Sequence, residues 1–331
     1  MRKLVFGVGI ALLVWAVVVV PIPLAVAVPV PATPLGEVVE LEGAAVEQLD
    51  DRFRFTAVRL EEPTIAGAVR VLFDDERALS PVPTVTVPGM DDDTFVEFQQ
   101  RLFRESLRVA VAVGLDRAGE AVEVTGGGAR VLEVLPATPA ADALQREDVI
   151  THLDGEPVEL ASDLASRLAG VDAGTEVEVA FQRDGEEGTE TLPVAPVDEL
   201  SDEAASLAIG VLVATVDLEL DAPVEVAATA DERVGGPSAG LLLALATYQA
   251  ASGTDLTAGR TIAGSGTIDT QGGVGRVDGI PQKVRGALDV GAEVFLVPPA
   301  GAEAARSAAE GRLEVIEVDT LDAAIDALTD G

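Results

Sequence analysis

The sequence predicts a mixed α/β protein of several domains with a transmembrane helix at its N-terminus. Three observations support this fold class: an apolar N-terminal segment, a central block of short strand patterns, and a C-terminal block in which helix and strand patterns alternate. At 331 residues the chain is long enough for two or three domains with buried cores. Because only 3% of the residues are aromatic, those cores should consist of Val, Leu, Ile and Ala.

The composition restricts the partners of the protein. The net charge of −35 argues against nucleic acid and against an anionic membrane surface, since both would repel the chain. The absence of Cys excludes disulfides, thiol catalysis and Cys-ligated zinc. We therefore predict no nucleic-acid partner, and the motifs indicate neither a cofactor nor a metal.

Residues 1–30 are predicted to form a membrane anchor and the start of a Pro-rich spacer. Met1-Arg2-Lys3 is basic, residues 4–20 are an unbroken apolar run, and the apolar character continues to residue 30. A bilayer-spanning helix needs about 20 residues. The basic end predicts a single-pass protein of the cell membrane whose body lies outside the cytoplasm. The alternative is a cleaved signal peptide with Ala25-Val26-Ala27 as its processing site.

Residues 31–113 are predicted to be a lead-in region without chemistry. Alternating apolar residues predict strands over residues 53–60 and 68–73. Residues 91–113 have apolar side chains near helical spacing behind Asp91-Asp92-Asp93, which predicts a helix.

Residues 114–197 are predicted to form a β-rich domain. Strand patterns cover residues 129–135, 148–153 and 176–183, with an Asp154-Gly155 turn after the second and a helix pattern over 160–168. The runs P-A-A-D-A-L, E-D-V-I-T-H-L-D-G-E-P-V and G-T-E-V-E-V-A-F-Q-R-D-G resemble a PDZ domain. The resemblance implies peptide or protein partners, bound at a sheet edge with a terminal carboxylate held by backbone N–H groups. The Gly126-Gly127-Gly128 turn is a candidate for the vicinity of that site.

Residues 198–331 form the predicted C-terminal domain, in which helices and strands alternate as in α/β folds. The strand patterns cover residues 207–216, 222–229, 260–268, 294–298 and 313–318, and the helix patterns cover residues 239–251, 280–290, 302–310 and 321–328. The helix at 239–251 is apolar almost throughout, which predicts that it is buried.

A serine lies at the entry to that apolar helix, within Gly235-Gly236-Pro237-Ser238-Ala239-Gly240. A serine hydroxyl needs a base to accept its proton. Apart from Lys3, Lys283 is the only lysine in a chain that otherwise uses arginine, which cannot be deprotonated in proteins. Burial lowers the pKa of a lysine, so Lys283 can act as a neutral base. We predict that Ser238 is the nucleophile and Lys283 the base, the alternative for Ser238 being a helix N-cap.

The neighbours of Ser238 fit that chemistry. Gly236 permits a tight turn and close approach of a substrate, and Pro237 stiffens the turn. The N–H groups and dipole at the helix start can stabilise a developing oxyanion. The single histidine, His152, lies in a predicted strand and is interpreted as structural.

The C-terminal block also carries a family resemblance. G-G-P-S-A-G-L-L-L-A-L-A and G-S-G-T-I-D-T-Q-G-G-V-G-R-V-D-G-I-P-Q-K-V-R-G-A resemble the proteolytic domain of the Lon protease family, and the domain order is similar to PDZ-containing Lon-like serine proteases of Gram-positive bacteria. The resemblance implies a Ser238–Lys283 dyad, a homo-oligomeric ring, and Ser265 as the residue that orients the lysine, with Thr267 as the alternative.

The chain departs from the Lon pattern at several positions. Gly235 stands where ATP-dependent Lon proteases often have an acidic residue, Pro281 replaces the first lysine of the family's motif, and the upstream His-containing strand is absent. Neither Lys3 nor Lys283 lies in the Gly-Lys-Ser/Thr sequence of a phosphate-binding loop, so the predicted activity needs no ATP.

The sequence therefore predicts a membrane-anchored, ATP-independent serine endopeptidase whose PDZ domain recognises substrate peptides. Two alternatives stay open: a catalytically silent PDZ scaffold at the cell surface, and a Ser-Lys hydrolase that acts on amides other than proteins.

Overall fold

The computed structural model describes residues 20, 22, 24–43, 46, 48–61, 63–71, 78–81, 92–195, 208–229 and 235–329. Within these residues the protein has a mixed α/β fold with several sheets. Its α-helices are α1 (Ile65–Val71), α2 (Asp92–Ala118), α3 (Ala161–Ala169), α4 (Gly240–Ser252), α5 (Ile280–Asp289), α6 (Ala302–Ala309) and α7 (Leu321–Thr329). The predicted helices near α2 to α7 are confirmed.

The N-terminal strands are short and pair in several places. They are β1 (Leu24–Pro29), β2 (Thr33–Pro34), β3 (Val39–Gly43), β4 (Phe53–Phe55), β5 (Val58–Glu61) and β6 (Ala78–Pro81). β1 pairs antiparallel with both β5 and β6.

The predicted transmembrane helix is wrong. No helix among the described residues is long and apolar enough to cross a membrane, and the end of the predicted apolar segment is strand β1. Alternating Val and Ala with flanking prolines favour extended backbone there, because Val is β-branched and Pro breaks helices. The start of the predicted segment, residues 1–19, lies outside the described residues. This finding corrects both the fold class and the single-pass localisation predicted from the sequence.

The strand predicted over residues 68–73 is also wrong, because residues 65–71 form helix α1. The Thr64 hydroxyl accepts a hydrogen bond from the N–H of Gly67 at 3.2 Å, as an N-cap does. Ile65 and Val69 of this helix are exposed. A short apolar run does not distinguish a strand from a short helix by its periodicity alone.

An antiparallel sheet forms the centre of the chain. Its strands are β8 (Ala129–Val134), β9 (Val149–Leu153), β10 (Glu156–Pro157), β11 (Glu176–Arg183), β12 (Glu186–Pro193) and β13 (Val211–Thr215). They lie in the order β12-β11-β9-β8-β13, with β10 beside β9. Asp154 and Gly155 have positive φ values of 51° and 80°, so the predicted Asp-Gly turn is confirmed.

Strand β13 belongs to this central sheet although it lies beyond the predicted β-rich domain. Val213 pairs with Val131 of β8, and Thr215 pairs with Ala129. Val211 and Val213 are buried in the same core as α3 and the other central strands. The central domain is therefore completed by residues that follow it in sequence.

A second sheet joins the two ends of the chain. Its further strands are β16 (Ile262–Gly264), β19 (Val294–Val297) and β20 (Glu314–Glu317). The order is β2-β4-β16-β19-β20, and every pair after β2 is parallel. The predicted lead-in region thus supplies β4 to the sheet of the C-terminal block.

The lead-in region also packs against the C-terminal block through helices and a strand pair. β3 pairs with β15 (Val224–Ala228). Helix α2 crosses α4 closely at Gly114, where a Cβ atom would lie 2.5 Å from the carbonyl oxygen of Ala244. Leu107, Leu242 and Leu296 belong to one core.

Short strands complete the fold: β7 (Glu123–Thr125) pairs with β14 (Glu219–Asp221), and β17 (Thr267–Ile268) with β18 (Val274–Gly275).

Candidate functional site

Lys283, the predicted base, is buried and is hydrogen-bonded to the hydroxyl of a second serine, Ser265. Lys283, on α5, is only 5% exposed, and its Nζ donates a hydrogen bond to Ser265 Oγ at 2.9 Å. Ser265 follows β16 and is fully buried. Its Oγ lies 3.3 Å from the carbonyl oxygen of Ser238 and donates to it. Ser265 therefore connects the lysine to the turn that carries the predicted nucleophile.

Backbone hydrogen bonds hold that turn in place. The N–H of Gly266 donates to the carbonyl oxygen of Ser238 at 3.1 Å, and the N–H of Leu241 donates to the carbonyl oxygen of Gly266 at 3.0 Å. Gly240 permits this close approach, because a Cβ atom there would lie 2.9 Å from the backbone nitrogen of Ile268. The glycine thus fixes the start of α4 against the segment that carries Ser265.

Ser238 itself is half-buried and lies before the N-cap of α4, which is Ala239. The N-cap interpretation of Ser238 therefore does not match the geometry. Gly236 has a φ of 81°, and its N–H donates to the carbonyl oxygen of Gln99 at 2.9 Å. A left-handed backbone of this kind favours glycine.

Two backbone N–H groups are available at the predicted oxyanion position. The N–H groups of Gly240 and Leu241 already donate to backbone carbonyls. Those of Ser238 and Ala239 have no hydrogen-bond acceptor in the part of the chain that the structure describes. They stand at the positive end of the α4 dipole, so they can donate to a developing negative charge.

The Lys283 side chain is buried on a helix that packs into an apolar cluster. Gly279 precedes α5 with a φ of 69°, and the N–H of Lys283 donates to its carbonyl oxygen at 3.0 Å. Ile280, Val284 and Phe295 belong to one buried cluster on this side of the sheet. Desolvation disfavours the charged form of a buried amine. The alternative orienting residue, Thr267, lies in the β17–β18 pair, and the hydrogen bond from the lysine goes to Ser265 instead.

A cavity of 280 Å³ lies beside the serine turn. Helices α2 and α3, strand β13 and the β17–β18 hairpin border it, and Pro237 and Thr267 are part of its wall. Ser162 of α3 also lines it, and the buried Oγ of this serine has no hydrogen-bond partner among the residues that the structure describes. The cavity therefore touches both the central domain and the residue before Ser238.

Glu105 of α2 is a half-buried acid in the wall of this cavity. Its Oε2 accepts hydrogen bonds from the Oγ1 and the N–H of Thr215, at 2.9 and 3.3 Å. Burial raises the pKa of the Glu105 carboxyl above its ordinary value of 4.5, and the bonds from Thr215 oppose that rise. Sequence reasoning missed this residue, although it interrupts the apolar stripe of Phe98, Leu102 and Val109 on the same helix face.

The Gly126-Gly127-Gly128 turn is committed to bonds within the chain. The N–H of Gly127 donates to the carbonyl oxygen of Val216 at 2.8 Å, and that of Gly128 to the carbonyl oxygen of Glu159 at 3.0 Å. These two donors are not free for a peptide carboxylate.

His152 is exposed on β9, as a structural strand residue would be. Among the described residues no group of acidic or His side chains could hold a metal ion.

The comparisons with known proteins identify the central domain. The family model described as "PDZ domain" matches residues 116–194. Residues 116–194 form a PDZ domain. The PDZ domain predicted from the sequence is therefore confirmed, and PDZ domains bind peptides or proteins. The predicted likeness to Lon proteases has no support in these comparisons and stays a prediction.

Two of the solved structures that match this chain cover about a quarter of it. The solution structure of GtR34C from Geobacillus thermodenitrificans is 35% identical and covers 21% of this chain and 79% of its own, with a TM-score of 0.20. The PDZ domain of an SdrC-like protein from Listeria monocytogenes is 22% identical and covers 28% of this chain and 92% of its own, with a TM-score of 0.24. No curated protein matches the chain.

Proposed function

We propose that this protein is a serine endopeptidase in which Ser238 and Lys283 form a catalytic dyad and the PDZ domain holds the substrate polypeptide. The observation that carries the proposal is the buried hydrogen bond from Lys283 Nζ to Ser265 Oγ. Because Ser265 also contacts the Ser238 backbone, it ties a desolvated amine to the serine turn. A buried lysine that is connected through Ser265 to the serine turn is an arrangement that can support nucleophilic catalysis.

The proposed reaction is acyl transfer to Ser238. The Ser238 Oγ attacks the scissile carbonyl carbon while the neutral Lys283 amine accepts the hydroxyl proton. The N–H groups of Ser238 and Ala239 donate to the oxyanion. The Lys283 ammonium then protonates the leaving amine. Water attacks the acyl-enzyme with Lys283 again acting as base, and the lysine returns this proton to Ser238 Oγ as the ester bond breaks and the acid product leaves. Ser265 acts as a positioning residue for the lysine.

The main alternative is a PDZ scaffold without catalysis, which the confirmed PDZ domain also supports. The two functions differ in one respect: a scaffold has no need of a reactive Ser238. A hydrolase that acts on other amides would share the dyad but would not require an extended polypeptide.

The full chain, incubated with casein in the absence of ATP, tests the proposal. Ser238→Ala and Lys283→Arg should each abolish cleavage, since arginine keeps the charge but cannot become a neutral base. Ser307→Ala is the matched control, because Ser307 is exposed on α6, away from the serine turn. A fluorophosphonate probe provides a second readout, since it labels an activated serine whatever the substrate.

Labelling and cleavage that both persist in Ser238→Ala would overturn the dyad. Failure of the wild-type protein to react with the probe and to cleave casein would favour the scaffold. Labelling of Ser238 with cleavage of small amides alone would favour the amide hydrolase.

A further inference from the structure

The 280 Å³ cavity lies between the PDZ domain and the residues around Ser238. On one side it is lined by Ala161 and Ala165 of α3 and by Val213 of β13. It is also lined by Pro237 and Thr267. Ligand sites in proteins usually start at about 300 Å³, so the space suits a few residues of an extended chain. One peptide can therefore contact both regions at once.

Strand β13 offers an edge for such a peptide. It is the last strand of the central sheet among the described residues, paired only with β8. The N–H of Thr215 points away from β8 but already donates to Glu105, so the peptide has to pair at Val213 rather than at Thr215. Because successive N–H groups alternate between the two edges of a strand, the N–H of Val213 faces the same outer edge. PDZ domains bind extended peptides by adding them to a sheet edge, and this edge borders the cavity.

The charged residues that line the cavity determine which peptide charges it attracts. Glu105, Asp269 and Asp319 line it, and no Lys, Arg or His is among the described lining residues. Arg101 and Arg108 act on Glu105 from outside the lining and offset part of its charge. Most of the remaining wall is apolar, including Phe98, Leu102 and Val274. A free terminal carboxylate would be repelled here, whereas a cationic side chain next to an apolar one would be attracted. The Gly127 and Gly128 donors are also occupied, which removes a nearby place for such a carboxylate.

We propose that this cavity is the substrate groove of the protein and that it binds an internal polypeptide segment with a large apolar residue next to Lys or Arg, rather than a free C-terminus. The inference rests on the proposed endopeptidase function, because the same segment would continue past Pro237 to Ser238. The PDZ domain then supplies one wall of the groove, and the segment around Ser238 supplies the other.

Peptide binding to full-length Ser238→Ala tests the groove without interference from cleavage. Three fluorescent nine-residue peptides serve as probes in anisotropy titrations: one with a central Leu-Arg and both ends blocked, one with a central Leu-Glu and both ends blocked, and one that ends at Leu with a free carboxylate. We expect the Leu-Arg peptide to bind about tenfold more tightly than either of the others.

Two variants test whether the Leu-Arg peptide binds in the cavity. Ala165→Trp, added to Ser238→Ala, fills the cavity from α3 and should weaken binding of the Leu-Arg peptide about tenfold or more. Ala141→Trp is the matched control, because Ala141 is an exposed PDZ residue outside the cavity lining. Glu105→Gln keeps the size of the side chain, and it should reduce the preference for Arg over Glu severalfold. This second variant keeps the test decisive if Ala165→Trp does not fold.

Equal binding of the three peptides, no binding of any of them, or tight binding by a folded Ala165→Trp variant would overturn the inference. An unchanged preference for Arg in a folded Glu105→Gln variant would overturn its electrostatic part. A failure of the proposed catalysis would differ from a failure of the groove. Cleavage would persist in Ser238→Ala or be absent from the wild type, while the peptide preferences stayed as expected.

Discussion

Lys283 Nζ donates a hydrogen bond to Ser265 Oγ at 2.9 Å, and both side chains are buried. Ser265 in turn contacts the carbonyl oxygen of Ser238. The buried hydroxyl thus fixes the position of the amine relative to the serine turn. Four predictions follow from this contact and from three others, and each concerns a different part of the molecule.

Ser265→Ala should reduce kcat about 100-fold and change KM little, because the lysine loses the hydroxyl that positions it. Ser265→Thr retains the hydroxyl and should restore part of the activity. Steady-state cleavage of a fluorescent peptide, measured between pH 6 and 9, checks both variants. Ser307→Ala on α6 should behave as wild type. A pH profile and kcat unchanged by Ser265→Ala would contradict the positioning role.

Gly240→Ala should destabilise the protein by about 1 to 3 kcal/mol, because the new methyl group would collide with the backbone of β17. The added Cβ would lie 2.9 Å from the backbone nitrogen of Ile268. Gly67→Ala is a matched helical control, since its nearest neighbours lie at an ordinary 3.5 Å. The control should be neutral or more stable than wild type. Urea denaturation compares the two, and equal midpoints would contradict the steric argument.

Glu105→Gln should gain stability relative to wild type as the pH rises above the ordinary carboxyl pKa of 4.5. Burial raises the pKa of Glu105 in the folded state above 4.5. As the pH rises, the unfolded chain therefore loses this proton first, and the wild type loses stability through the window that ends at the folded pKa. Glutamine does not titrate and lacks this loss.

Thermal denaturation at several pH values measures the difference between Glu105→Gln and wild type. Glu97→Gln, at an exposed position of the same helix, is the control. A difference between Glu105→Gln and wild type that does not change with pH would show that the acid is not desolvated.

Arg183→Met should destabilise the PDZ domain by about 2 to 3 kcal/mol, because it leaves a buried carboxylate without its cation. Asp148 is fully buried, and its two oxygens accept from Arg183 at 2.8 and 2.6 Å. The value lies at the low end for such pairs because the Arg183 side chain is 35% exposed. Arg146→Met removes an exposed pair with Glu147 and should cost less than about 0.5 kcal/mol. Similar losses in chemical denaturation would contradict the argument.

Local sequence patterns predicted the central strands and most helices, because those signals are complete within a short stretch. The Asp154-Gly155 turn and the alternation in residues 176–183 are examples. The patterns could not show that Phe53–Phe55 pairs with Ile262–Gly264, since neither strand contains information about its distant neighbour. Strand β13 was predicted, but its place in the central sheet depends on packing against β8 and α3.

The candidate site, like the fold, has residues that the sequence predicts and residues that it does not. The Gly-rich turn and the isolated lysine are visible in the sequence, which is why Ser238 and Lys283 stand out. Glu105 does not, because its environment depends on Thr215 of β13, a hydrogen-bond partner 110 residues away in sequence. The membrane anchor was predicted from hydropathy alone, and hydropathy does not distinguish an apolar helix from strand β1.

Because β4 pairs with β16, this part of the sheet cannot form until both strands have been synthesised. The Thr56 hydroxyl donates to the carbonyl oxygen of Gly264, a partner 208 residues further along the chain. At about 5 to 20 residues per second, the early strand waits roughly 10 to 40 seconds before its neighbour has been made. The sheet behind Ser265 and Lys283 can therefore close only after β16, β19 and β20 have been synthesised. A ribosome that stalls earlier would release a chain without an assembled Ser238–Lys283 site.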